Sequence, residues 1–187
     1  MLCYMRRKNR LENRRNGLAY RCDTKKRGYA MYLHYDNEHD EWMTLHDCFA
    51  EKASLVDGVL TFYFSDGFWI TPNHEASHLE ETVRTDASEV RFHLENEDPS
   101  DVWVYVYTEK EQGKALRKEW ELQELIDRIN EGYCRLEFLY QYKSFHARIV
   151  ECWLWLKKKP YHKPCDLKIS TDKVTYCWNH LREDRRW

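Results

Sequence analysis

Two Asp-Gly pairs between apolar runs constrain the fold of this chain more than any other sequence feature. Asp57-Gly58 separates the run 59–64 from the run before it, and Asp66-Gly67 separates it from the run 68–71. Asp-Gly is the preferred two-residue turn of a β-hairpin, because both turn residues adopt a positive φ. The pattern predicts a three-stranded antiparallel meander.

Alternating apolar and polar residues predict further strands along the chain, since successive side chains of a half-buried strand point to opposite sides. Val90, Phe92 and Leu94, for example, share one side of their segment. The last two predicted strands are short. The strands of this group cover residues 88–94, 101–108, 133–143, 145–156, 165–170 and 173–178.

The spacing of the apolar residues changes from that of a strand to that of a helix at about 117–131, which predicts the one helix of the chain. Apolar residues there lie near helical spacing, and Gly132 stands where a left-handed residue ends a helix. The helix falls between an N-terminal and a C-terminal set of strands. The order predicts an α+β fold, built as a mostly antiparallel β-sheet or sandwich with one main helix.

The distribution of charge divides the chain near residue 30. Residues 1–30 contain ten basic and two acidic residues, whereas 31–187 contain twenty basic and thirty acidic residues, a formal charge of −10. We expect 1–30 to be a basic arm, disordered or non-native, ahead of a single α+β domain at 31–187. The arm offers contacts to nucleic acid, because clustered cations release counterions from a phosphate backbone.

Hydropathy and cysteine usage predict a soluble cytoplasmic protein. No apolar run approaches the roughly 18 residues of a membrane helix. The arm lacks the apolar region of a secretory signal. The seven cysteines are an odd number without the spacing of a disulfide framework, which is typical of reduced thiols.

Residues 74–78 match the H-E-x-x-H pattern, in which two histidines one helical turn apart bind zinc and the glutamate polarises the attacking water. The match predicts a zinc hydrolase with His74 and His78 as ligands and Glu75 as the catalytic base, provided that the segment is helical. Pro72 allows a helix to begin there but not to extend upstream. The segment also fits a polar connection between two strands.

A second metal-like pattern pairs His162 and Cys165 with Cys177 and His180. Such spacing can close a tetrahedral zinc site. The alternative is a strand cysteine at each position with exposed histidines in loops. Zinc is therefore a possible cofactor, while the absence of any cofactor is the leading expectation.

A polar loop also carries groups that bind metals, and we expect only adventitious metal binding there. Its residues are His34, Asp36, Glu38, His39 and Asp40. The chain contains no glycine-rich phosphate loop and no G-x-S-x-G motif, so common nucleotide and serine-hydrolase chemistry is unsupported.

Aromatic residues make up 15% of the chain, and tryptophan and tyrosine are enriched at protein interfaces. Alternation allows many of them to line an exposed sheet face. The alternative is a thick aromatic core beneath the helix. The residues concerned are Trp103, Tyr105, Tyr107, Tyr140, Tyr142, Trp153 and Trp155.

Several short segments resemble a group of small bacterial proteins of unknown function. The resemblance covers about residues 31–181 and implies one intact domain beginning near Met31. It implies no activity. The segments are Leu45-His46-Asp47-Cys48, Gly58-Val59-Leu60-Thr61-Phe62, Asp66-Gly67-Phe68-Trp69, Glu119-Trp120-Glu121-Leu122, Leu136-Glu137-Phe138-Leu139-Tyr140 and Cys152-Trp153-Leu154-Trp155.

The leading interpretation is a non-enzymatic binding protein whose acidic body and aromatic strands contact an unidentified protein partner. One alternative is the zinc hydrolase of residues 74–78. The other is a nucleic-acid binder that acts through residues 1–30. A membrane is not an expected partner.

Overall fold

The computed structural model of the protein describes residues 31–109 and 114–187. The chain divides into two units, Met1–Met31 and Tyr32–Trp187, and the elements described all lie in the second. They comprise one α-helix, α1 (Leu122–Asn130), two short 3-10 helices (Asp40–Trp42 and Pro99–Asp101) and fourteen strands. The strands are β1 (His34–Asp36), β2 (Met43–Thr44), β3 (Cys48–Ala50), β4 (Lys52–Val56), β5 (Val59–Phe64), β6 (Trp69–Ile70), β7 (Val83–Thr85), β8 (Ser88–Leu94), β9 (Val102–Glu109), β10 (Ala115–Trp120), β11 (Cys134–Ser144), β12 (Ala147–Leu156), β13 (His162–Trp178) and β14 (Leu181–Arg186).

The strands form two sheets. The larger has ten strands, in the order β3-β11-β12-β13-β8-β5-β4, with β1 and β9 also paired to β13 and β10 paired to β9. The smaller has the order β14-β7-β6-β2. Every recorded pairing is antiparallel. The expected α+β class with a mostly antiparallel sheet is confirmed.

The long strand β13 is central to the larger sheet, because it pairs with four other strands. Its first half pairs with β12 and β9, and its second half pairs with β8 and β1. We predicted two short strands here, but the structure has one strand of 17 residues. An irregularity between Thr171 and Lys173 shifts the register, and such a bulge bends a strand without ending it.

The two Asp-Gly turns have different roles. Asp57 and Gly58 both have a positive φ and join β4 to β5 as a hairpin, as predicted. After Gly67, however, the chain leaves β5 and enters the smaller sheet, where β6 pairs with β2 and β7. The three-stranded meander is therefore wrong beyond its first hairpin.

The helix is shorter than predicted. Residues Ala115–Trp120 form β10, which pairs in register with β9, and α1 begins only at Leu122. The error arises because Leu116 and Trp120 are four residues apart, a spacing that fits one face of a helix and equally one side of a strand. The helix ends before Gly132, whose φ of +69° is the left-handed conformation expected there.

The core is apolar and continuous between the helix and the larger sheet. The buried side of α1 follows helical spacing, with Leu122, Leu125, Ile126 and Ile129. The same buried cluster includes inward-facing residues of β5, β8, β9, β11, β12 and β13. The helix and this side of the sheet thus share one core.

Candidate functional site

The outer side of the larger sheet carries a set of partly or largely exposed aromatic residues, which we call the aromatic face. In β9, Val102, Val104 and Val106 are buried, whereas the aromatic residues between them are partly exposed. The same alternation holds in β12. The aromatic face comprises Phe49, Trp103, Tyr105, Tyr107, Tyr140, Tyr142, Trp153 and Trp155.

A β-bulge in β11 places two of these residues on the outer side. Cys134, Leu136 and Phe138 are buried, so a regular strand would also turn Tyr140 and Tyr142 inward. The register shifts between Phe138 and Tyr140, and the side chains beyond the bulge exchange sides. Tyr140 and Tyr142 are consequently more than half exposed, at 53% and 51%.

Cations lie over several rings of the aromatic face. The Lys168 Nζ atom is 4.8 Å from the centroid of Trp103, and the Arg117 guanidinium carbon is 4.6 Å from that of Tyr105. Arg135 lies over Phe49 at 4.2 Å. These distances fall within the range of cation–π attraction, about 6 Å.

Carboxylates accept hydrogen bonds from two other aromatic side chains of the face. The Trp155 indole donates a hydrogen bond to Glu137 Oε2 at 2.6 Å, and the Tyr107 hydroxyl donates to Asp166 Oδ2 at 2.8 Å. Burial, together with the Asp166 carboxylate, raises the pKa of Tyr107 above its usual value, so this hydroxyl remains a donor. These contacts restrain the rings, which reduces the entropy that a binding partner would have to remove.

The segment that carries the H-E-x-x-H pattern is not helical. Residues 72–82 form turns and bends between β6 and β7. His74 is buried and its Nε2 atom lies 3.0 Å from Asp36 Oδ2, whereas His78 is exposed and bonds Glu183 Oε1 at 3.0 Å. Glu75 is exposed. The structure thus lacks the helix on which the predicted zinc hydrolase depends, and its two histidines bond different carboxylates.

His74 instead meets two residues of the polar loop. One oxygen of Asp36, Oδ2, lies 2.9 Å from His39 Nδ1 and 3.0 Å from His74 Nε2. We call these three residues the Asp36 cluster. Burial favours the neutral acid of Asp36, but hydrogen bonds from His39, Glu38 and His74 outweigh it and lower its pKa. The cluster therefore holds a carboxylate between two imidazoles.

The second predicted zinc set is spread along one strand. Cys165 and Cys177 are both buried in β13, twelve residues apart. At about 3.3 Å per residue, a straight strand would separate them by roughly 40 Å. His162 lies against Trp153 and Trp155, and His180 lies beyond the end of β13. The cysteines are separate strand residues and both histidines are exposed, but His162 belongs to β13 rather than to a loop, and the four residues are spread along the strand.

The described cysteines are poor nucleophiles. Burial raises the pKa of Cys48 and Cys177 to about 12 and that of Cys134 to about 11. Burial likewise raises the pKa of Cys152 and Cys165. Because the thiolate is the nucleophilic form, these thiols are weakly reactive at neutral pH.

Iodoacetamide at neutral pH is expected to leave these five cysteines unmodified in the folded protein. A pKa near 12 lowers the thiolate fraction about 1000-fold relative to an ordinary thiol, and burial restricts access further. Peptide mass spectrometry measures the modification of each residue, with urea-unfolded protein as the fully reactive control. Rapid alkylation of Cys165 or Cys177 in the folded chain would contradict the burial described here.

Two predictions concern other parts of the chain. The basic arm, residues 1–30, lies outside the described residues, and nucleic-acid binding through it stays a prediction. No helix within residues 31–109 and 114–187 combines the length and apolar character needed to cross a membrane.

Comparison with known protein families, curated proteins and solved structures finds no match to this chain. The function is therefore argued from the geometry of the aromatic face and the Asp36 cluster.

Proposed function

We propose that the protein binds a partner protein of basic character through the aromatic face and acts by this contact rather than by catalysis. The observation that carries the proposal is the outward position of eight aromatic side chains on one side of one sheet. Tyrosine and tryptophan contribute large contact areas with few rotatable bonds, and they dominate the energetics of many protein interfaces.

The area of this face suits a protein partner. It extends over six neighbouring strands, from β3 through β11, β12, β13 and β9 to β10. Five intervals of about 4.8 Å between these strands give a width of about 24 Å, and a length of about 25 Å gives about 600 Å². A standard protein interface buries about 800 Å² on each partner.

Charge favours a basic partner. Residues 31–187 have a formal charge of −10, which attracts a cationic protein and repels both nucleic acid and a second copy of the same domain. On the face itself, cations lie over rings and two carboxylates bond ring donors. Both signs of charge are therefore present on the face itself, so the charge of residues 31–187 as a whole directs the encounter while the rings supply the contact energy.

The test compares the wild-type chain with the double variant Trp153→Ala/Trp155→Ala. Affinity capture from a lysate of the source organism, with quantitative mass spectrometry, identifies candidates, and calorimetry then measures binding of the purified candidate. We expect a basic protein that binds the wild-type chain and binds the double variant at least about 30-fold more weakly, the loss typical of a central aromatic contact.

Val56→Thr is the matched control, because Val56 is 42% exposed in the β4–β5 hairpin, outside the aromatic face. It is expected to bind like the wild type. Equal binding by the double variant, self-association through the face, or capture of no basic protein by the wild-type chain would contradict the proposal.

A further inference from the structure

The Asp36 cluster has the composition and spacing of a small metal site, although it is built from segments far apart in the sequence. Asp36 is the last residue of β1, His39 lies in the loop that follows, and His74 lies in the connection after β6. Their three ligand atoms, Asp36 Oδ2, His39 Nδ1 and His74 Nε2, all lie within 4.8 Å of one another. We propose that these residues bind one divalent transition-metal ion, with zinc as the test ion, independently of any partner on the aromatic face.

The distances suit such an ion. Zinc bonds imidazole nitrogen and carboxylate oxygen at about 2.0–2.2 Å, which places neighbouring ligand atoms of a tetrahedral site about 3.3 Å apart. Asp36 Oδ2 is already 2.9 Å from His39 Nδ1 and 3.0 Å from His74 Nε2. Two imidazoles and one carboxylate form a common ligand set for zinc and for other divalent transition metals.

Both rings are held in position before any ion binds. His39 stacks on Trp42, with ring centroids 4.5 Å apart and planes 4° from parallel. His74 packs edge-on against Trp42 and Trp178 and is 2% exposed. A site whose ligands are already fixed loses little conformational entropy when the ion binds.

The carboxylate is oriented by the backbone, as a metal ligand requires. Asp36 Oδ1 accepts hydrogen bonds from the amides of Glu38 and His39, at 2.8 and 2.9 Å. These two bonds leave Oδ2 directed at the imidazoles, and they would remain when Oδ2 binds the ion. The His39 side chain is 31% exposed, so its side of the cluster gives water access to the fourth position.

The proton on His74 provides a specific signature of binding. The Ala76 amide donates to His74 Nδ1 at 3.0 Å, so in the metal-free protein the ring proton lies on Nε2 and faces Asp36. An ion on Nε2 requires that proton to move to Nδ1. Binding therefore breaks the Ala76 hydrogen bond and reverses the His74 tautomer, a change that a purely structural cluster would not undergo.

The test is calorimetric titration of the chelator-treated full chain with zinc chloride, together with ¹⁵N NMR of the imidazoles. We expect a site of one zinc per chain that His39→Gln weakens at least about 100-fold, since loss even of a residue that supports a ligand costs 10- to 100-fold. The His74 nitrogen signals should change from the Nε2–H to the Nδ1–H form on saturation. His39 is partly exposed, so its variant is expected to fold.

Two histidine variants serve as controls. His146→Gln removes a member of the exposed group Glu95, His146 and Asp172, and His78→Gln removes the second histidine of the H-E-x-x-H pattern. Both should retain the site. The proposal is overturned if zinc does not bind, if His39→Gln binds zinc as the wild type does, if either control abolishes the site, or if the His74 tautomer stays unchanged.

Discussion

Gly67→Ala is expected to destabilise the protein by about 2–4 kcal/mol. Gly67 has a φ of +75°, and a Cβ atom there would lie 2.2 Å from the carbonyl oxygen of Thr85 and 2.5 Å from that of Asp86. Both contacts are with backbone atoms, so a side-chain rotation cannot relieve them. Urea unfolding measures the change in the free energy of unfolding.

Gly132→Ala is the matched control, because it separates the conformational cost from the steric cost. Gly132 has a similar φ of +69°, but its Cβ would meet only the end of Lys157, at 3.8 Å. The left-handed conformation alone costs about 1–2 kcal/mol. If Gly132→Ala destabilised the protein as much as Gly67→Ala, the close approach at Gly67 would not be the cause.

These two glycines show why the turns were only partly predictable. The sequence signal of Asp66-Gly67 is the same as that of Asp57-Gly58, yet only the latter closes a hairpin. At Gly67 the glycine is required by backbone that approaches from β7 and the turn after it. A contact between segments about twenty residues apart leaves no trace in the dipeptide itself, so the local signal predicts a turn but not which strands it joins.

Local periodicity predicted most strands and failed where two periods coincide. The four-residue spacing of Leu116 and Trp120 fits both a helix and a strand. In the structure this segment pairs with β9 and is a strand. By contrast, Leu122, Leu125, Ile126 and Ile129 include a three-residue step that fits only the helix, and there the prediction is confirmed.

The candidate sites divide in the same way. The outward position of Trp103, Tyr105 and Tyr107 follows from alternation within one strand, so the sequence could indicate it. The Asp36 cluster could not be found in this manner. His74 was selected for its spacing from His78, whereas its contacts are Asp36 and His39 across 38 and 35 residues of chain. These contacts depend on the tertiary fold and not on the spacing of residues in the sequence.

We expect an alanine substitution at a buried aromatic residue of β11 to lower stability far more than one at an aromatic residue on the outer side of the neighbouring strand β12. Phe138→Ala is expected to lower the free energy of unfolding by about 3–5 kcal/mol, the usual cost of removing a fully buried phenylalanine. Phe138 is 0% exposed, and its ring lies 5.3 Å from both Phe62 and Phe64. Phe138 pairs with Cys152 of β12, and the next residue along β12, Trp153, lies on the aromatic face. Urea unfolding of both variants measures the difference.

Trp153→Ala is expected to cost about 1 kcal/mol, less than Phe138→Ala, because the partly exposed ring keeps some contact with water in the folded protein. The larger side chain would then give the smaller loss of stability, the reverse of what volume alone predicts. Such an outcome would mean that the tryptophan contributes little to folding, as expected for a residue that serves a contact with another molecule. A cost for Trp153→Ala close to that of Phe138→Ala would instead place the ring in the core and remove the physical basis of the aromatic face as a binding surface.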